Sequence, residues 1–306
     1  MKKKLLVIMV MMFMMIVIVT PTSLAASKTG TQGLSGFVSI RGAAYTTTGG
    51  GTPAFTKVMK DVPKYRKIGK YYFGYDSNGL FYKKSRKGNK KYISKNAFCS
   101  GITDGKTVIY QNVYYYTDYS DSDTEIYKYN ISKGTREYIT DFYSSDGRSM
   151  SLVACYGNNL YFMKLIDRWY EDCGTTCDTL RYNMSTGELS TIKYNCAFGE
   201  QYGRYVTASR HDLNFNLNMN EIYDLKTGKF KKLCKSGYAI LTKKKVYYYN
   251  YKANTLNSCT FKAKNKKIIK RFTGGGIVWM SDSYCGFLTD TKAYRINNKN
   301  GRKKKL

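Results

Sequence analysis

An acidic segment at residues 118–123 carries the side chains best suited to binding a cation. It reads Asp-Tyr-Ser-Asp-Ser-Asp, so that the carboxylates of Asp118, Asp121 and Asp123 alternate with hydroxyls. Hard oxygen donors of this kind suit Ca²⁺. The run lacks the central Gly and the terminal Glu of an EF-hand loop, so a solvated polar loop is the favoured interpretation and no metal site is assigned.

A second polar segment, residues 166–178, combines aromatic and charged side chains. Its candidate ligand-binding residues are Asp167, Arg168, Trp169, Tyr170 and Glu171. Neighbouring aromatic rings beside charges can stack on a sugar or a peptide; the alternative is that they fold back onto the domain. His211, between Arg210 and Asp212, is the single histidine of the chain. It is a candidate ligand-binding residue, although a lone histidine is more often a surface polar side chain than a catalytic one.

Catalytic and cofactor motifs are missing from the sequence. We find no nucleophile elbow, zinc-protease HExxH, P-loop or dinucleotide-binding fingerprint. Carboxylates for glycoside cleavage need not lie near one another in sequence. The sequence therefore favours a non-enzymatic protein without a cofactor, and the alternative is a polysaccharide-active hydrolase or lyase that uses carboxylates such as Asp167, Glu171 and Asp172.

The cysteines divide into two groups. Cys155, Cys234, Cys259 and Cys285 each stand alone within a strand pattern, which predicts buried, small apolar side chains. Cys173 and Cys177 instead share a polar loop, where a local disulfide is one outcome and free thiols are the other.

Positive charge is concentrated toward the C-terminus. The chain has 51 Lys and Arg against 21 Asp and Glu, a formal net charge of +30. Candidate residues for anionic-polymer binding are Lys229, Lys231, Lys232, Lys262, Lys264, Lys266 and Lys267. Polyanions bind such surfaces by counterion release. For an exported chain the expected partner is an anionic envelope polymer, a glycan or a protein and not nucleic acid; the alternative is a solvated basic surface.

A recurring turn indicates the fold that positions these side chains. Asn or Asp is followed by two or three polar residues and Gly, as in residues 129–134, 182–187 and 223–228. Weaker copies occupy residues 83–88, 261–266 and 296–301, with Asn265 taking the left-handed position in one of them. Successive copies lie 46, 53, 41, 38 and 35 residues apart. A period near forty predicts an all-β fold, a β-propeller of six four-stranded blades.

Strand patterns agree with that repeat. The fifth blade is predicted to contain residues 238–241, 246–249, 259–261 and 267–270, and the second blade residues 107–110, 113–116, 125–129 and 137–140. No useful helical period follows the N-terminal leader. The long insertions 117–124, 166–178 and 208–220 all join the second strand of a blade to its third, which marks one face as the expected binding face.

The Tyr-rich strand pair followed by Ile126-Tyr127-Lys128-Tyr129-Asn130 resembles exported bacterial propellers of the DUF5050 and TolB-like kind. The resemblance covers residues 57–306 through repeated patterning. It implies a binding scaffold more often than an enzyme.

The N-terminus has the pattern of an export signal. Lys2 to Lys4 precede fifteen apolar residues, and Pro21 and small residues follow. Because about 20 apolar residues are needed to span a bilayer, a cleaved signal is favoured over an uncleaved anchor. We expect a signal peptide at 1–26, a Gly/Thr/Ser-rich flexible lead-in at 27–56 and the propeller at 57–306, with no membrane-spanning segment after cleavage.

Together these patterns predict a secreted protein, free or associated with the cell surface. Its expected function is non-enzymatic binding at the envelope. The loop-rich acidic face would hold a ligand or partner, and the basic half would hold anionic polymers.

Overall fold

Six antiparallel groups of four consecutive strands follow one another along the chain and form the blades of a β-propeller. The computed structural model describes residues 32–33, 38–39, 53–116, 121–145, 150–167, 175–211 and 217–306. The sequence-based prediction of an all-β propeller with six four-stranded blades is confirmed.

Blades 1 to 3 contain twelve strands. Blade 1 comprises β3 (Arg66–Ile68), β4 (Tyr71–Asp76), β5 (Gly79–Lys83) and β6 (Lys91–Ser94). Blade 2 comprises β7 (Cys99–Thr103), β8 (Thr107–Tyr115), β9 (Ser122–Asn130) and β10 (Thr135–Ser144). Blade 3 comprises β11 (Met150–Tyr156), β12 (Asn159–Asp167), β13 (Thr175–Asn183) and β14 (Leu189–Lys193).

Blades 4 to 6 contain the next twelve. Blade 4 comprises β15 (Cys196–Tyr202), β16 (Tyr205–His211), β17 (Leu217–Asp224) and β18 (Lys229–Cys234). Blade 5 comprises β19 (Gly237–Leu241), β20 (Val246–Asn250), β21 (Thr255–Cys259) and β22 (Lys267–Arg271). Blade 6 comprises β23 (Gly276–Met280), β24 (Tyr284–Leu288), β25 (Ala293–Asn297) and β26 (Lys303–Lys305). The four strands of each blade are consecutive in sequence, so no blade borrows an outer strand from the other end of the chain.

Two short strands precede the ring. These are β1 (Gln32–Gly33) and β2 (Val38–Ser39). Strand β1 pairs with β7 and β15, the first strands of blades 2 and 4, and β2 pairs with β23, the first strand of blade 6. The first strands of propeller blades line the central channel, so both segments lie against channel-lining strands.

The repeated turns behave as the sequence predicts. In blade 2 the side-chain oxygen of Asn130 accepts hydrogen bonds from the backbone N–H groups of Ser132 and Lys133, at 3.1 and 3.0 Å. Gly134 then adopts φ 69°, a left-handed conformation that favours glycine. Asn265, the predicted substitute for glycine in blade 5, has φ 54°. The first-blade copy differs, because Gly88 is not left-handed.

Two predicted strand boundaries are wrong. In blade 2 the residues 107–115 form the single strand β8, and the inner strand lies earlier at β7. The polar pair Gln111 and Asn112 does not end the strand, because both side chains are buried and hydrogen-bonded to neighbouring blades. In blade 5 the third strand ends at Cys259, because the next residues fold into a turn closed by the N–H of Thr260 donating to the carbonyl of Lys264.

Hydrophobic side chains fill the spaces between neighbouring blades. Phe73 and Tyr82 of blade 1 pack with Val108 and Tyr110 of blade 2, all at most 4% exposed. Similar clusters lie between blades 2 and 3, 3 and 4, 4 and 5, and 5 and 6. Each such buried side chain contributes about 1.5–3 kcal/mol, so these five interfaces hold most of the ring together.

A helix packs against blade 6 beside the remaining junction. Helix α1 (Pro53–Lys60) buries Ala54 and Val58 against Val278, Leu288 and Ala293 of blade 6. Proline is favourable at the first position of a helix, and basic residues in the last turn complement the helix dipole. The sequence pattern predicted no helix after the leader, and α1 shows that this prediction was wrong. In the described part of the chain, no helix is long and apolar enough to cross a membrane.

Candidate functional site

The described members of the acidic loop are held by tyrosines. The hydroxyl of Tyr143 donates to a carboxylate oxygen of Asp121 at 3.0 Å, and that of Tyr116 donates to Asp123. These side-chain hydrogen bonds raise the pKa of both tyrosines. Among the described residues, no three His, Cys, Asp or Glu side chains converge as a metal site.

The other predicted ligand-binding residues are placed only in part. Asp167 ends β12 and pairs with Thr175, and His211 ends β16 and pairs with Leu217, with only their backbones described. Asp118, Arg168, Trp169, Tyr170 and Glu171 lie outside the described residues. Their joint role as a binding face stays a prediction.

The cysteines that stand alone in strand patterns confirm the prediction of burial. Cys155, Cys234, Cys259 and Cys285 are buried free thiols, as their strand positions indicated. Burial raises the pKa of Cys155 to about 12, which keeps the thiol protonated and unreactive. Cys177 is a half-buried thiol on β13. Cys173 lies outside the described residues, so the disulfide between them stays a prediction.

Four of the seven predicted basic residues converge between blades 4 and 5. Lys229 and Lys231 on β18 face Lys262 and Lys264 across a cleft of about 330 Å³. Phe261 also lines this cleft, and its ring stacks on that of Tyr205 with centroids 4.9 Å apart. The role of these lysines in anion binding stays a prediction, and the sequence gave no sign that two different blades supply one cleft.

The remaining predicted lysines have other roles. The ammonium of Lys266 donates to the backbone carbonyls of Lys232 and Leu233, at 3.1 and 2.8 Å, and so ties the blade 5 turn to β18. Lys267 lines a separate cleft of about 360 Å³ between blades 5 and 6, together with Lys244, Lys245 and Lys299. The predicted basic residues therefore do not form one continuous site.

A cleft of about 710 Å³ lies where blade 6 meets blade 1. We call it the closure cleft. It is bounded by the segment that follows α1, by the start of blade 1 and by the loop between β23 and β24. Its cationic residues are Lys60, Lys64, Arg66, Lys67, Arg86 and Arg295, and its carboxylates are Asp61 and Asp282. Sequence analysis missed it, because only ring closure brings residues near 64 and near 282 together.

Both carboxylates of the closure cleft are already paired with arginines. The guanidinium of Arg295 binds Asp61 through two nitrogens, a geometry that strengthens the pair. A guanidinium nitrogen of Arg66 donates to Asp282 at 3.0 Å. By contrast, Lys60, Lys64, Lys67 and Arg86 form no salt bridge with a described residue. The cleft therefore presents four cationic side chains without a described carboxylate partner.

Arg66 also connects the cleft to the opposite side of the ring. Its other terminal nitrogen donates to Glu200 of β15 in blade 4 at 2.5 Å, and both side chains are buried. Burial alone would lower the pKa of Arg66, but the carboxylates of Glu200 and Asp282 raise it above its usual value. Burial raises the pKa of Glu200, and the charge of Arg66 opposes that rise. This network fixes Arg66 at the base of the cleft.

Tyrosine rings order the cationic side chains around the cleft. The ammonium of Lys67 lies 5.5 Å from the ring centre of Tyr72, and the guanidinium of Arg295 lies 5.5 Å from that of Tyr284. Cation–π contacts of this length are attractive. The rings also offer flat surfaces and hydroxyl groups to a bound molecule. The arrangement suits a ligand that carries negative charge together with a ring or a short carbon skeleton.

Comparison with known proteins found likenesses only among solved structures. No protein-family model matches the chain, and no curated protein matches it. Among solved structures, the acylaminoacyl peptidase of Pyrococcus horikoshii aligns with a TM-score of 0.49 at 12% identity, covering 77% of this chain and 42% of that one. The β-propeller domain of the Trilobed protease from Pyrococcus furiosus, with an open velcro topology, aligns with a TM-score of 0.41 at 10% identity, covering 79% and 94%.

Dipeptidyl peptidase 4 of Porphyromonas gingivalis aligns with a TM-score of 0.42 at 10% identity, covering 84% of this chain and 56% of that one. The chain thus spans less than half of the acylaminoacyl peptidase. At these identities the likeness extends to the propeller fold alone. The expectation of a non-enzymatic role is corrected: several of the similar structures are peptidases, so the fold gives no ground for that role.

Proposed function

We propose that this propeller recognises a small organic anion, with two or more carboxylate or phosphate groups, in the closure cleft. The observation that carries the proposal is which charged side chains of the cleft are paired in salt bridges and which are not. Asp61 and Asp282 are neutralised by arginines, while Lys64, Lys67 and Arg86 have no described carboxylate partner. A volume of about 710 Å³ lies within the range of small-molecule sites, roughly 300–1,000 Å³.

Charge-assisted hydrogen bonds explain why a multivalent anion is favoured over a neutral ligand. Each bond between an ammonium or guanidinium and an oxyanion contributes about 1.5–3 kcal/mol. The cations without a described carboxylate partner come from two parts of the chain. Lys60 ends α1 and Lys64 follows it, whereas Lys67 and Arg86 belong to blade 1. A ligand with two separated anionic groups can contact both parts at once, whereas a single small oxyanion would contact one of them.

A ligand screen with a matched variant tests the proposal. The wild-type protein is screened by thermal shift against citrate, a sugar bisphosphate, a nucleoside diphosphate and the uncharged sugar, and hits are titrated by calorimetry. The triple variant Lys64→Gln/Lys67→Gln/Arg86→Gln should bind the best anion at least about 10-fold more weakly, which is about 1.4 kcal/mol.

A control with the same loss of charge separates local contacts from general attraction. Lys133, Lys193 and Lys226 are exposed and lie away from the closure cleft. Their triple Gln variant should bind like the wild type. Equal weakening in both variants, or no anion binding by the wild type, overturns the proposal. Mass spectrometry of the incubated ligand shows in the same experiment whether it is chemically converted.

We also propose that the chain is exported and that it is related to a family of exported propellers. The pattern of residues 1–26 supports export of the chain, and the Tyr-rich strands support kinship with the exported propellers of the DUF5050 and TolB-like kind. The two lysine clefts beside blade 5 support an anionic partner. Sequencing the N-terminus of the secreted protein tests export, since a cleaved chain begins near residue 26.

A further inference from the structure

The chain's own N-terminal segment pairs with strands on several sides of the central channel. Gln32 of β1 lies opposite Thr103 of β7 and also opposite Tyr202 of β15, and Gly33 lies opposite Ile102. Blades 2 and 4 are not neighbours in the ring. Strand β1 therefore joins their sheets into one sheet of nine strands.

The next part of the same segment reaches a third blade. Val38 and Ser39 of β2 lie opposite Met280 and Trp279 of β23 in blade 6. Only four residues separate β1 from β2 in sequence. Within eight residues the chain therefore pairs with the inner strands of three different blades.

In blades 3 and 5, side-chain amides form the hydrogen bonds with the backbone of the inner strand. The side-chain amide of Gln201 accepts from the N–H of Cys155 at 3.0 Å and donates to its carbonyl at 2.7 Å. The side-chain amide of Asn220 donates to the carbonyl of Gly237 at 2.7 Å. Thr103 and Tyr202, in contrast, pair with the main chain of Gln32.

The edge of an inner strand has backbone donors and acceptors that need partners. A side-chain amide fills one position only, whereas an extended segment fills several in succession. The inner edges of β7, β15 and β23 are thus arranged to accept a strand.

Charge indicates what kind of segment fits. The stretch from Thr29 to Ile40 has no charged side chain. The nearby ionic groups, Arg66 and Glu200, are paired with each other. An uncharged, Gly- and Ser-containing segment matches these surroundings, whereas a charged side chain would have to compete for a buried ion pair.

We propose that the central channel is a binding site for an extended, uncharged peptide segment, occupied here by the strands Gln32–Gly33 and Val38–Ser39 of the same chain. When that segment leaves, the edges of β7, β15 and β23 accept an equivalent segment from a partner molecule by strand addition. This site is distinct from the closure cleft and does not depend on the ligand bound there.

A labelled peptide with the sequence of residues 29–40 is the probe. Its binding is measured by fluorescence anisotropy with the full-length wild type and with the full-length variant Gln32→Pro/Gly33→Pro, whose prolines cannot donate to the inner strands. A tethered segment competes at an effective concentration in the millimolar range. The variant should therefore bind the peptide at least about 10-fold more tightly than the wild type.

A disulfide trap supplies the second measurement. Residues opposite one another in an antiparallel pair are close enough for a disulfide, so the full-length variant Gln32→Cys/Thr103→Cys should oxidise to a link identified by mass spectrometry. The pair Gln32→Cys/Lys133→Cys should not. The trapped protein should lose peptide binding and regain it on reduction.

Three results overturn the proposal. These are no peptide binding by either protein, equal binding by the wild type and the proline variant, or undiminished binding by the trapped protein. Should the proline variant fail to fold, as judged by circular dichroism, the comparison of trapped and reduced protein decides alone. A peptide with both Gln and Gly replaced by Pro is the control, and it should bind to neither form.

Discussion

Removing the charge of Arg66 should destabilise the propeller strongly. In Arg66→Met the carboxylate of Glu200 loses its partner at 2.5 Å while remaining buried, since Glu200 is only 9% exposed. Breaking a buried ion pair from one side costs about 3–5 kcal/mol. Asp282 adds little, because its side chain is 38% exposed and regains water. We therefore expect the free energy of unfolding to fall by about 3–5 kcal/mol.

The double variant Arg66→Met/Glu200→Met separates the lost charge from lost packing. Replacing both members of a buried pair by apolar side chains is often neutral. Its stability should return to within about 1 kcal/mol of the wild type, so that the coupling energy in the double-mutant cycle is large. The assay is urea unfolding followed by tyrosine fluorescence and circular dichroism.

The stability lost in Arg66→Met should depend on pH. Burial already raises the pKa of Glu200, and without Arg66 nothing opposes that rise. A carboxyl group whose pKa is higher in the folded than in the unfolded state contributes stability below the unfolded value, near 4.3, and that contribution is lost as the pH rises through the folded value. Arg66→Met should thus lose more stability at pH 7 than at pH 4.5. A loss below about 1 kcal/mol at pH 7, or no recovery in the double variant, would refute the reasoning.

Two further changes test closure of the ring and burial of the tyrosines. Trp279→Phe removes the hydrogen bond from the indole N–H to the carbonyl of Val58, at 2.9 Å, and should cost about 1–3 kcal/mol in urea unfolding and speed hydrogen exchange in α1. Burial raises the pKa of Tyr161 and Tyr248 to about 12. The folded state therefore loses up to about 2.7 kcal/mol per group as the pH rises from 10 to 12, and absorbance at 295 nm should show these tyrosines ionising only with unfolding.

The blade repeat was predictable because it depends on local chemistry. Asn130 and Gly134 close their turn with bonds inside one six-residue segment, and the same pattern recurs along the chain. The inner strand of blade 2 was not predictable in this way. Gln111 looks like a loop residue, but its side chain accepts from the backbone of Leu152 in the next blade. Contacts between blades are invisible to a local pattern.

The closure cleft was hidden from sequence analysis for a related reason. Lys64 and Arg86 belong to the beginning of the ring, whereas Asp282 and Arg295 belong to its end. No short motif connects them, and their proximity follows from the closing of six blades into a circle. The lysine cleft beside Phe261 was partly foreseen, since Lys262 and Lys264 share one turn, but the contribution of Lys229 depends on the neighbouring blade.

The most direct test of anion recognition at the closure cleft is the position of a heavy-atom oxyanion in crystals. Crystals grown without sulfate or phosphate and soaked in low-millimolar selenate would be measured at the selenium absorption edge. Our account predicts an anomalous peak within hydrogen-bonding distance of Lys64, Lys67 or Arg86, and its loss in the triple Gln variant. Peaks confined to the lysine clefts beside blade 5, or a closure cleft without a peak, would contradict it.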